Sequence, residues 1–160
     1  MFPNRATAVL LLAFVPAVAA HAATVCTGSS TSLNLGAYIG DTGAPTDSIG
    51  SFALACTRNG GPQNITVTMA IGPSANSGSI PLRQLRLATG TDLLAYNLYG
   101  DATRATVWGD TAGVNTQSRA VSIPNKTTLN VTFNIYGRIP GLQNVRAGAY
   151  SDTLVVTISY

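Results

Sequence analysis

The sequence predicts an all-β domain, and three features carry that expectation. Apolar residues recur with period two through most of the chain, no window sustains an i, i+3, i+4, i+7 stripe, and Gly, Pro, Asn and Asp punctuate the alternating runs. Helix is therefore expected only as an occasional turn. About seven strands separated by turn residues argue for an immunoglobulin-like β-sandwich, with a closed barrel as the alternative.

Taken in order, the chain opens with Arg5, an apolar run from Ala6 to Val15, then Pro16 and small residues ending Ala20-His21-Ala22. This succession reads as a secretory signal peptide over 1–22, cleaved after Ala22, and leaves 23–160 as one domain. The apolar run falls short of the roughly 20 residues that a bilayer core requires, which leaves an uncleaved anchor as the alternative reading. No later stretch is apolar for long enough to span a membrane.

Phe52, Leu54 and Cys56 alternate with Ser51, Ala53 and Ala55, and Ile65, Val67, Met69 and Ile71 alternate with Thr66, Thr68 and Ala70. Each run reads as a half-buried strand. Leu82 to Leu87 is less regular and leads through a Gly90-Thr91-Asp92 turn to Leu93–Tyr99, a strand by its aliphatic and aromatic content. Val107 to Asp110 is a short apolar piece among loops, and Ala120 to Ile123 is expected as a brief strand. The clearest strand runs from Thr128 to Ile139, with Leu129, Val131, Phe133, Ile135, Gly137 and Ile139 on one face. Gly141 to Gly148 connects it to a last strand in which Leu154, Val156, Ile158 and Tyr160 alternate with Thr153, Val155, Thr157 and Ser159.

The same residues bound the chemistry. Charged residues are only 9% of the chain, Lys126 is the sole lysine and the arginines are scattered, so no basic nucleic-acid surface is expected. The single histidine, His21, lies in the leader, which leaves no base for a serine or cysteine nucleophile and no catalytic residue to assign. Asp41, Asp47, Asp92, Asp101, Asp110 and Asp152 could in principle form a carboxylate pair, but each sits in turn-like sequence where Asp bonds local backbone. No phosphate loop, dinucleotide fingerprint or calcium loop is present, and no cofactor is expected.

Cys26 and Cys56 form an even count in an exported chain, which points to a disulfide; buried free thiols are the alternative. With no further Cys and no His to complete four ligands, a metal site is not expected. Trp108, Tyr96, Tyr99 and Tyr136 could form an aromatic sugar platform, although packing in the core or on a sheet face is the default for strand aromatics. Three Asn-x-Thr triplets, at Asn64, Asn125 and Asn130, read as strand and turn residues.

Together Cys26, the Leu33-Asn34-Leu35-Gly36-Ala37-Tyr38 run, Gly50 to Cys56, Leu94 to Tyr99, Trp108-Gly109-Asp110 and Gly148 to Tyr160 resemble the spore coat protein U domain, which is also that of archaic chaperone-usher pilins. The resemblance spans essentially all of 23–160, and its most specific piece is Gly148-Ala149-Tyr150-Ser151-Asp152-Thr153. It implies a pilin-type sandwich lacking its final strand. It also implies a periplasmic chaperone that first supplies the missing strand, an outer-membrane usher that exports the subunit, and neighbouring pilus or coat subunits that complete it. On that reading Leu154, Val156, Ile158 and Tyr160 border the open groove. Only Ala23-Thr24-Val25 separates the expected cleavage site from Cys26, too little for a donor strand of five or more residues. A subunit that accepts a strand without donating one, or a coat component, is expected.

Overall fold

A computed structural model describes residues 23–28, 32–40 and 43–160. The expected signal peptide and Asp41 lie outside the described residues. The described residues form nine strands: β1 Thr24–Gly28, β2 Thr46–Arg58, β3 Gln63–Ile71, β4 Arg83–Leu87, β5 Leu93–Tyr99, β6 Gln117–Ile123, β7 Thr128–Ile139, β8 Tyr150–Ser151 and β9 Val156–Ser159. Every strand pair is antiparallel, and two sheets result, a six-stranded one in the order β1-β2-β7-β5-β4-β8 and a three-stranded one in the order β6-β3-β9. The architecture is a β-sandwich, not the closed barrel. No helix among the described residues is long and apolar enough to cross a membrane.

The alternation in sequence becomes the core because β2 and β7 pair over their whole lengths, from Thr46↔Ile139 to Thr57↔Thr128. Phe52, Leu54 and Cys56 thus share one face with Phe133, Val131 and Leu129, and period two delivers all of them to the interior. From the opposite sheet Val67, Met69, Ile71 and Ile123 meet them, each fully buried. Cys26 stands directly across the β1–β2 ladder from Cys56, and the two form a disulfide that ties the first strand to the core.

Trp108 is also core: its indole packs at a tilt 6.1 Å from the Phe133 ring, and its Nε1 donates to the Met69 carbonyl at 3.0 Å. The short apolar piece read from sequence thus bridges the sheets, since Trp108 N donates to Leu98 O on one side and Ile71 N to Gly109 O on the other. Tyr96 is buried as well, while Tyr99 and Tyr136 face each other across the β5–β7 ladder beneath Arg104. The four aromatics therefore do not form one platform.

Three expectations need correction. The irregular run before Leu87 is the regular strand β4, in which Arg83, Leu85 and Leu87 all point inward. Arg83 is fully buried, with its guanidinium donating to the Ile71 and Gly72 carbonyls and to Asn97 Oδ1 at 2.8 Å each. Those acceptors are what make its burial tolerable, because an unpaired buried cation is costly. The last strand is not continuous: its start, β8, pairs with β4 and its end, β9, pairs with β3, so the chain crosses between sheets at residues 152–155. Nor do all the aspartates serve local turns. Asp101 does, accepting from Thr103 N and Arg104 N, but Asp47 makes a bidentate pair with Arg138, Asp92 an ion pair with Arg146, and Asp152 reaches two other segments.

Candidate functional site

Between the two ends of the sandwich's open side lies a groove of about 1320 Å³. Its floor is apolar, formed by Phe52, Ile71, Leu85, Leu94, Leu98 and Ile135. One wall is the segment 32–40, which belongs to none of the nine strands, and the other is 145–156, which includes β8 and the crossing to β9.

The first wall is held by the shape of the sheet beneath it. Gly50 and Gly137 occupy inward positions of β2 and β7, and a Cβ on either would collide with Leu33 or Leu35 respectively. The missing side chains let this segment's leucines sink into the interior. A polar tie completes the wall: Gln143 N donates to Tyr38 Oη at 2.6 Å, and the Gln143 amide exchanges two hydrogen bonds with the Ala95 backbone at 2.7 and 3.0 Å. β5 pairs with β7 only from Asn97 to Tyr99, so at Ala95 the side-chain amide stands in for a neighbouring strand.

The second wall is an open strand edge. Thr153 O accepts from Ala75 N at 3.2 Å and Val155 O from Gly72 N at 2.9 Å, which directs the odd-numbered backbone groups toward β3. In an antiparallel strand the alternate residues point the other way, so the N–H and C=O groups of Leu154, Val156 and Ile158 face away from β3. No strand pairs there among the described residues. The side chains of Leu154 and Val156 line the groove; Ile158 packs half-buried against the core across from Met69, and Tyr160 lies exposed beyond the end of β9.

The free edges of the three-stranded sheet differ in chemistry. β6 carries Arg119 at an inward position, opposite Val67, with the guanidinium 5.5 Å over the Phe133 ring. An inward-pointing charge on an edge strand discourages pairing with another chain. β9 and the residues leading into it, Thr153 to Ser159, contain no charge at all. One edge is guarded and the other is not.

A polar cluster lies where the second wall crosses between sheets. Asp152 Oδ1 accepts from Thr153 N at 2.8 Å and from Ala75 N and Asn76 Nδ2 at 3.1 Å, while Oδ2 accepts from Tyr96 Oη at 2.8 Å. Burial, and then the bond to Asp152, push the Tyr96 phenol far above the ordinary tyrosine range, so it stays a donor. No group of His, Cys, Asp or Glu among the described residues is arranged to hold a metal. Sequence reasoning missed Tyr38, Asn76, Arg83 and Gln143. Arg83 left a signal in its place in register with Leu85 and Leu87, and Tyr38 in the Leu33–Tyr38 run that carries the family resemblance.

The comparisons with known proteins agree with this geometry. The spore coat protein U domain model matches residues 12–157. Protein U of Myxococcus xanthus is 38% identical over 112 residues, which is 69% of this chain and 59% of that protein. Among solved structures, the chaperone and tip adhesion subunit pre-assembly complex from archaic chaperone-usher Csu pili of Acinetobacter baumannii contains a chain that matches with a TM-score of 0.54 at 19% identity, over 86% of this chain and 40% of its own length. The chain thus spans little more than half the length of its curated relative and less than half of the structural one. A family match over this much of the chain, on a sandwich whose last strand has an open edge, places the protein in the spore coat protein U domain family.

Proposed function

We propose that this protein is an exported structural or adhesive subunit of a bacterial surface pilus or coat, and that an extended strand from a partner fills its groove. The carrying observation is the open, uncharged edge of Leu154 to Ser159 beside an apolar trough. Strand addition satisfies such an edge with main-chain hydrogen bonds, and alternate side chains of the incoming strand enter the trough. The chemistry asked of the partner is therefore an alternating apolar segment. Family membership and the likeness in fold to a subunit of chaperone-usher pili support the same reading.

In this scheme a periplasmic chaperone covers the groove first, an outer-membrane usher exports the complex, and a neighbouring pilus or coat subunit supplies the final strand. The route passes through an oxidising compartment, which suits the Cys26–Cys56 disulfide. Thr24 and Val25 are already laddered to Arg58 and Thr57, which agrees with a subunit that receives a strand and does not lend these residues as one. The role is structural, without cofactor or catalytic group, and extends to cell adhesion and biofilm formation. A self-contained binding module is the weaker reading, because its groove would be covered by its own strands.

The test is co-expression in the periplasm with the cognate chaperone. Soluble yield should rise with the chaperone present, and Ile158→Asp should weaken the complex by placing a charge at a half-buried apolar position. Equal yield of a stable monomer without any partner, together with unchanged chaperone affinity of Ile158→Asp, would contradict the proposal.

A further inference from the structure

We propose that Asp152 is the positioning residue of the acceptor strand. Its carboxylate fixes the point at which the C-terminal segment leaves one sheet for the other, and so sets which side chains face the groove. This rests on the strand-acceptor reading above.

β8 is registered on β4 through Arg86↔Ser151, and β9 is registered on β3 through Ile71↔Val156. Between these ladders the segment 152–155 belongs to no strand. Two backbone bonds, to Thr153 O and Val155 O, hold it along one side. A slip of one residue in this stretch would turn Leu154 out to solvent and bring Val155 into the groove, since a one-residue shift moves every side chain to the opposite face.

The Asp152 carboxylate opposes that slip from two directions. Ala75 and Asn76 belong to the loop after β3, Tyr96 to β5 and Thr153 to the crossing itself. Asn76 extends the tie, because its Nδ2 also donates to Gln84 O on β4 at 2.9 Å and to Ser151 O on β8 at 3.0 Å. Three of the four donors share Oδ1 and one takes Oδ2, so both oxygens are engaged by the chain itself. The carboxylate acts as a clamp within the chain.

The full chain and a fluorescent synthetic peptide of alternating valine and threonine, flanked by lysines, make the test. Asp152→Ala should weaken peptide binding by about tenfold or more, the scale of one lost charge-assisted hydrogen bond. Asp152→Asn keeps the amide oxygen for the three Oδ1 contacts and loses only the acceptor for Tyr96 Oη, and should restore affinity to within about threefold of wild type. Asn76→Ala, outside the groove lining, should weaken binding in the same direction. Ile123→Val, a destabilising core substitution away from the groove, should leave the affinity unchanged, which separates positioning from loss of stability. Should Asp152→Ala fail to fold, the Asn76→Ala and Asp152→Asn affinities decide. Wild-type affinity in Asp152→Ala, or in Asn76→Ala, overturns the inference and leaves the acceptor reading intact. A peptide that does not bind wild type overturns both.

Discussion

Cys56 is fully buried and Cys26 joins it across 30 residues of sequence, so the disulfide restrains the unfolded chain while occupying core volume. Replacing both by serine should lower stability by about 3 to 4 kcal/mol in the chain-entropy account, read as a shift in the denaturation midpoint. Asp47 offers a second test. The hydrogen bond from Arg138, aided by the charges of Arg104 and Arg138, holds its carboxyl below the ordinary range. A group whose folded pKa is depressed stabilises above its unfolded pKa of about 3.9 and loses that contribution as pH falls through the folded value. Asp47→Asn should therefore lower stability at neutral pH and flatten the decline in acid; identical acid limbs in the two proteins would show that the pair contributes nothing. The pairing of the cysteines was legible from their number. That Asp47 would meet Arg138 was not, because it depends on the β2–β7 register, which the local sequence does not contain.

At the scale of elements, the strands with strict alternation, β3 and β7, could be read directly from sequence because one face of each is buried and the other is not. β4 could not, since Arg83 occupies an inward position that only its three acceptors make tolerable. The break between β8 and β9 was hidden for a similar reason: apolar alternation continues through the crossing while the pairing partner changes. The contrast between the edges gives a prediction that belongs here. Arg119→Val removes the inward charge from the free edge of β6 and should make the purified protein self-associate, seen as a rise in the weight-average mass by light scattering. A variant as monodisperse as the parent would show that Arg119 does not guard that edge.

Across the whole molecule, the sandwich and its family were legible from the alternating pattern and the Gly148 to Thr153 run, while the groove's walls were not. Residues 32–40 lie over Gly50 and Gly137, and Gln143 completes the Ala95 ladder with a side chain, relations that arise only when distant segments meet. The central claim is that the trough they enclose is the seat of a missing strand. Joining a strand of alternating valine and threonine to Tyr160 through a flexible Gly/Ser linker, and following urea denaturation together with amide hydrogen exchange, tests it most directly. Burial of four or five side chains, offset by ordering the strand, should raise unfolding stability by about 3 kcal/mol or more, with new protection at the Leu154, Val156 and Ile158 amides. An unextended chain that unfolds cooperatively at the same denaturant concentration, with the added strand and those three amides unprotected, would contradict it.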